Sequence, residues 1–337
     1  MLALLLGWAA AIPLHRINGP ALDRARDTWL YALAWLGVAL LLAREPAFGL
    51  IGAAVLLHWR SHEQLPALLT WVGIIATWEL VQAAPPAGLA LLPPVWRALA
   101  VVQVALATWQ WSRREEPRGT LGQRSLLGAF LALALPFASL LDAPLLAWGL
   151  FVAGAWLPLV AAGAALAVLH PEFAPWLAGL ALLGAVVTAI PWTRRALIDR
   201  LPRGGSVDSL RNRLTTWREV VRLGARWPVW LIGRGPSAPD ALDTPMLDVL
   251  RVYVHRGHLA IYPFHNEPLE CWYTYGLLGV AAMGALAWRL APHLALGDPW
   301  TASAVAGLVL ACGSIPCRVV PVGVTWHLVL AVIGGRG

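Results

Sequence analysis

Lysine is absent: all 25 basic residues of the 337-residue chain are arginine. A GC-rich gene would favour that usage together with Ala, Gly, Pro and Trp, so this absence alone excludes little. Charge of either sign is scarce, 13% of residues, where soluble domains carry about 25%. With 59% hydrophobic residues beside it, that scarcity excludes a cytosolic enzyme and a disordered chain. Cys271, Cys312 and Cys317 are too few for a disulfide framework, and they lie in or beside apolar segments, where packing is the default role. The net charge of +7 would suggest nucleic acid in a soluble protein. In so apolar a chain it poses a question of topology instead, and no nucleic-acid partner is expected.

What the chain does have is long apolar runs. Taking roughly 17–25 residues as a crossing length, the expected spans are 1–14, 29–43, 47–59, 65–83, 96–112, 126–141, 145–169, 174–192, 269–290, 299–315 and 318–334. The expected fold is therefore all-α, a polytopic membrane protein of about 11 (10–12) transmembrane helices. Residues 1–192 would form an N-terminal bundle, 193–268 an extracytoplasmic loop and 269–337 the C-terminal helices. No charged region precedes residues 1–14, so that stretch reads as a span rather than a leader. Placing Arg16, Arg24, Arg26, Arg60, Arg113, Arg114, Arg118, Arg124, Arg289 and Arg336 together gathers ten arginines on one side. The opposite short loops hold Arg44, Arg97 and Arg318. By the positive-inside rule the ten mark the cytoplasm, leaving the C-terminus inside and 193–268 outside.

That outside loop carries the other twelve arginines. Anionic lipid headgroups or a phosphorylated substrate would both suit them. Val207, Leu210, Leu214, Trp217 and Val221 recur at helical spacing, bounded by Ser206 as cap and by Gly224 and Pro228 as stops. At about 100° per residue, Arg211, Arg218 and Arg222 share one stripe and Arg213 lies on the other flank. Such a helix would rest on the membrane with guanidinium groups at headgroup depth, where their fork suits phosphate. A Gly233-Arg234-Gly235 turn follows, then a short helix from Thr244 to His255. His265-Asn266-Glu267-Pro268 stands directly before the span 269–290, with Asn266 as cap. His265 would sit at the positive end of that helix, which favours a neutral ring able to accept a proton. Arg97, near the outer end of its span, is a further site candidate; Glu79, within a span, ranks below it.

His265-Asn266, nine residues and Gly276-Leu277-Leu278-Gly279 resemble the signature of the bacterial O-antigen ligase and O-antigen polymerase superfamily. Arg213-Leu214 with Trp217, then Gly233-Arg234-Gly235, resemble that family's Arg-Leu-x-x-Trp and Gly-x-Gly stretches in order. Val280 follows the second glycine where the ligase pattern carries Gly, Thr or Tyr, so ligase and polymerase both stay open. The resemblance implies an inner-membrane glycosyltransferase that moves a glycan from undecaprenyl pyrophosphate to a sugar hydroxyl of the lipid A core or of another lipid-linked repeat. His265 would be the general base of an inverting transfer. Arg213, with Arg211, Arg218, Asn266, Arg234 and Arg97 as further binding candidates, would meet the charge on the departing pyrophosphate. No His/Cys/Asp/Glu cluster has metal-ligand spacing, so neither metal nor cofactor is expected. A transporter of lipid-linked sugars is the rival class.

Overall fold

The computed structural model describes Gly49, Leu50, Ala53 and residues 75–121, 124–176, 178–179, 207–234, 266–313 and 320–335, with backbone alone for 207–212, 320–321 and 324. The expected spans 1–14 and 29–43 and the helix 244–255 lie outside these residues. Every regular element among the described residues is helical, with no strand. In chain order the main ones are α1 (75–83), α2 (Leu92–Ser112), α3 (Arg124–Ala134, prolonged by a 3-10 turn Leu135–Phe137) and α4 (Ala143–Ala153). They continue as α5 (Trp156–Leu169), α6 (Val207–Gly224), α7 (Glu267–Leu290), α8 (Pro299–Gly313) and α9 (Val320–Gly334). Pro86–Ser112 and Glu267–His293 are long and apolar enough to cross a membrane. The remaining apolar helices have 10–17 residues.

The chain divides into two compact units: Thr77–Trp217 with Pro263–Glu267 and Leu290–Gly337, and Met1–Ala76 with Arg218–Tyr262 and Pro268–Arg289. In the first unit α3 is the axis, buried from Leu127 to Ala134. Its neighbours meet it through small side chains: Ala100 and Ala107 of α2, Ala161 and Ala165 of α5, Ala302 and Ala306 of α8. Small residues let helix backbones approach closely where no water drives them together. The Ser303 hydroxyl donates to the Leu133 carbonyl at 2.8 Å, so this buried polar group is satisfied within the core.

Contacts along this unit fix the direction of each helix. Trp96, Phe137 and Trp300 pack ring against ring, with centroids 4.8–5.6 Å apart. The start of α2, the end of the α3 segment and the start of α8 therefore share one end of the bundle. Arg97 and Asp142 meet there, and the Gly297 amide donates to the Val168 carbonyl at 2.9 Å. At the other end, a Cβ on Gly128 would stand 2.9 Å from Pro158 and 3.7 Å from Ala153, and one on Gly313 would stand 3.0 Å from Leu157.

The expected single span 145–169 is accordingly two helices. α4 stops at Gly154, whose left-handed conformation (φ 60°) closes the helix with N–H bonds to the Leu150 and Phe151 carbonyls. Ala155 is extended, and α5 then runs back, from Leu157 beside Gly313 to Val168 beside Gly297. Glycine adopts this backbone without a Cβ penalty. The segment is a hairpin that returns to its starting end.

That reversal arranges the helix ends otherwise than the expected sidedness would. The sequence puts 113–125 with the C-terminus and opposite the 193–268 loop. In the structure α2 ends, at Arg113, at the same end of the unit as Gly313, where Arg213 is bound. Gly335 lies at the opposite end, beside Gln82 of α1.

Candidate functional site

α8 ends with carbonyls that no later turn of helix can satisfy. Two side chains from separate sequence motifs take them. Arg213 on α6 donates through Nη1 to the Gly313 carbonyl at 2.6 Å, and Asn266 donates through Nδ2 to the Cys312 carbonyl at 2.9 Å. Cationic and amide donors are the favoured partners of a helix C-terminus, whose dipole end is negative. α7 begins at Glu267, directly after Asn266, in the register expected of an Asn-Glu-Pro start. The structure thus brings together Arg213 and Asn266, from two motifs that lie more than fifty residues apart in the chain. His265 itself lies outside the described residues.

The other candidates are distributed differently. Arg218 and Arg222 are exposed on the face of α6 that also exposes Leu214 and Val221, and Arg222 pairs with Glu219 at 2.8 Å. Val220 and Leu223 are the buried apolar side chains among the described residues of α6, so Leu214 and Val221, on the stripe expected to rest on the membrane, are not packed within the protein. An exposed surface of Leu214 and Val221 flanked by arginines keeps the amphipathic character the spacing implied. The Arg211 side chain lies outside the described residues. Arg97 sits at the far end of the bundle from Arg213, held by Asp142 through Nε at 2.8 Å and Nη2 at 2.5 Å. Hydrogen bonds from Ser139, then the Arg97 guanidinium, hold the Asp142 carboxyl below the usual carboxylate range.

The two glycine motifs meet each other in the second unit. α7 is broken at Gly276, which is left-handed at φ 60°. Gly233 is also left-handed, at φ 76°. A Cβ on Gly233 would collide with the Thr274 carbonyl and stand 2.6 Å from the Gly276 nitrogen; one on Gly276 would collide with Leu231 and stand 2.6 Å from the Gly233 nitrogen. Side chains of any kind are excluded at both positions. The Arg234 amide donates to the Tyr273 carbonyl at 2.9 Å, so a carbonyl beside the break is satisfied by protein backbone. Arg234 therefore contributes its main chain here while its side chain is exposed.

Sequence reasoning missed the carbonyls of Cys312 and Gly313, because a backbone acceptor has no letter. Asp142 was also missed, though an Asp beside Ser139 in a short apolar turn is visible once its partner is known. Glu270, 4% exposed within α7, is a third; an acid inside an apolar span is the signal that would have found it. Cys271 is half-buried and Cys312 exposed. Among the described residues no three of His, Cys, Asp and Glu are placed to hold a metal ion. The chain matches no protein-family model and no curated protein.

Proposed function

We propose that the chain is a polytopic membrane glycosyltransferase, which moves a glycan from a polyprenyl pyrophosphate to a sugar hydroxyl, in the manner of O-antigen ligases. The observation that carries this reading is the convergence of Arg213 and Asn266 on successive carbonyls of α8. It ties the arginine motif of the loop to the residue beside His265. His265 takes the proton of the acceptor hydroxyl, and the oxygen attacks the anomeric carbon from the face opposite the pyrophosphate. The glycosidic bond to pyrophosphate breaks, configuration inverts, and the pyrophosphate leaves as an anion met by arginine. One guanidinium N–H of Arg213 is taken by Gly313, which orients the planar fork.

The donor chemistry of the resembled family places the loop outside the cytoplasm. Arginine counting does not choose the orientation, since Arg113, Arg114, Arg118 and Arg124, four of the ten, belong to the Arg213 end of the unit. The rival reading, a transporter for lipid-linked sugars, gains from the break in α7, since transporters bind at discontinuous helices. Against it, the break is filled by the Gly233–Arg234 backbone. The deciding experiment offers the purified chain in nanodiscs a glycan on polyprenyl pyrophosphate with a lipid A core acceptor, then with a second lipid-linked glycan. A new glycosidic bond to either acceptor supports transfer and separates ligase from polymerase. Movement of the intact donor across sealed vesicles, with no new bond, supports transport instead.

A further inference from the structure

The loop between α2 and α3 is far more ordered than a span connection requires. Gln110 accepts the amides of Arg118 and Gly119 at 2.9 Å each and donates to the Gly119 carbonyl at 3.1 Å. Gln103 accepts the Thr120 amide at 2.9 Å and donates to the Thr120 hydroxyl at 2.8 Å. Two glutamines inside an apolar helix thus fold the loop back along α2 and fix its backbone. Arg113, Arg114 and Arg118 remain exposed. Arg113 stacks over Trp109 at 4.5 Å, while Glu116 stands 4.0 Å from Arg124. Among the described residues no carboxylate pairs with Arg113, Arg114 or Arg118.

Directly below the loop lies a group of exposed rings: Trp109, Trp111, Trp148 and Phe151. Trp148 packs on Trp111 and Phe151 and donates its indole N–H to the Thr108 hydroxyl at 3.1 Å. Tryptophan collects where a membrane meets water, so these rings set the bilayer surface at the level of residues 108–111. The arginines above them stand at headgroup depth, at the same end of the unit as Arg213 and Asn266.

We infer that the Arg113–Thr120 loop is a binding site for the phosphate of an anionic lipid headgroup, held ready at the active end of the protein. The inference rests on the membrane reading given above, and adds a second phosphate-recognising element independent of the loop that carries His265. A preformed backbone means that little ordering is lost when the lipid binds. Guanidinium forks suit a lipid phosphate, and Glu115 and Glu116 keep the loop from holding every anion alike. In the proposed reaction the site would receive the phosphorylated part of a lipid-linked substrate entering from the leaflet.

The test measures association of spin-labelled phosphatidylglycerol and phosphatidylcholine with the full chain in nanodiscs, a readout that needs no turnover. Wild type is expected to prefer phosphatidylglycerol by roughly tenfold, from the attraction of each arginine near an anionic surface. Arg113→Gln, Arg114→Gln and Arg118→Gln together should bring the ratio close to one, with the Gln103 and Gln110 clasps left in place. Glu115→Gln with Glu116→Gln should raise it. An unchanged ratio in the triple variant overturns the site. Displacement of the lipid by millimolar inorganic phosphate would also overturn it, by showing a soluble-anion site. Should transfer activity fail to appear in any assay, the lipid ratio still stands or falls alone.

Discussion

Arg97 and Arg213 lie at opposite ends of one helical unit, and each is anchored there by a contact of a different kind. Arg97 meets a carboxylate, Asp142, whose charge cancels its own. Arg213 meets the carbonyl of Gly313, which accepts a hydrogen bond and carries no formal charge. A carboxylate partner makes an arginine part of the scaffold. A carbonyl contact fixes the position of the group that donates to it. The two ends differ likewise in their surroundings. The Arg97 end is closed by packed rings of Trp96, Phe137 and Trp300, whereas the Arg213 end gathers arginines and exposed tryptophans.

The largest expected effect lies in the second unit, where the backbones of Gly233 and Gly276 close on each other. Gly276→Ala should cost about 1–3 kcal/mol from the left-handed backbone alone, and more from the collision with Leu231. Loss of folded protein in detergent, seen in its size-exclusion profile, is the expected result for Gly276→Ala and equally for Gly233→Ala. Next in size is the division of the ends. In a background without Cys271, Cys312 and Cys317, Thr120→Cys and Thr216→Cys should react with an impermeant maleimide from the same side of sealed vesicles. Arg336→Cys should react from the other. Labelling of positions 120 and 336 from one side would restore a crossing at 145–169 and remove the hairpin.

Activity separates the two arginines more finely. Arg213→Lys keeps the charge but loses the fork, and should lower kcat by roughly tenfold or more, the worth of a charged hydrogen bond. Arg97→Gln should leave kcat/KM within about twofold, since this half-buried pair lies at the far end of the unit from Arg213. A larger loss at Arg97 would show that both ends serve the reaction. EDTA should leave the rate unchanged. The smallest effect belongs to Asp142. Its carboxyl is held below the ordinary value near 4, so its contribution to stability is present above that value and is lost as pH falls through the lowered one. Melting temperatures of wild type and Asp142→Asn should differ at neutral pH and converge in acid.

Much of the local structure was legible in the sequence. The α6 helix occupies the stretch that its Val207–Val221 spacing demanded, and α7 starts where Asn266 and Pro268 require. α2, α8 and α9 lie within or close to their apolar runs. The reversal at Gly154 was not legible, because hydropathy measures length and sees no direction: residues 145–169 are apolar throughout, and one glycine with φ 60° turns a crossing into a hairpin. The arginine count took 145–169 as one crossing, whereas the hairpin puts Arg113 and Gly313 at one end of the unit. Within the candidate site, Arg213 and Asn266 were named from their motifs, yet their common anchor is a pair of main-chain carbonyls. Gly233-Arg234-Gly235 was legible as a turn, but not that it closes on Gly276, backbone against backbone.

The account depends on a proton-accepting ring at position 265, one residue from the anchor shared by Arg213 and Asn266. Transfer of a labelled glycan from polyprenyl pyrophosphate, measured side by side for wild type and His265→Ala in nanodiscs, tests it most directly. A loss of about a hundredfold to ten-thousandfold in kcat, the usual worth of a general base, with unaltered folding and donor binding, is the predicted result. Turnover by the alanine variant close to that of wild type would contradict it.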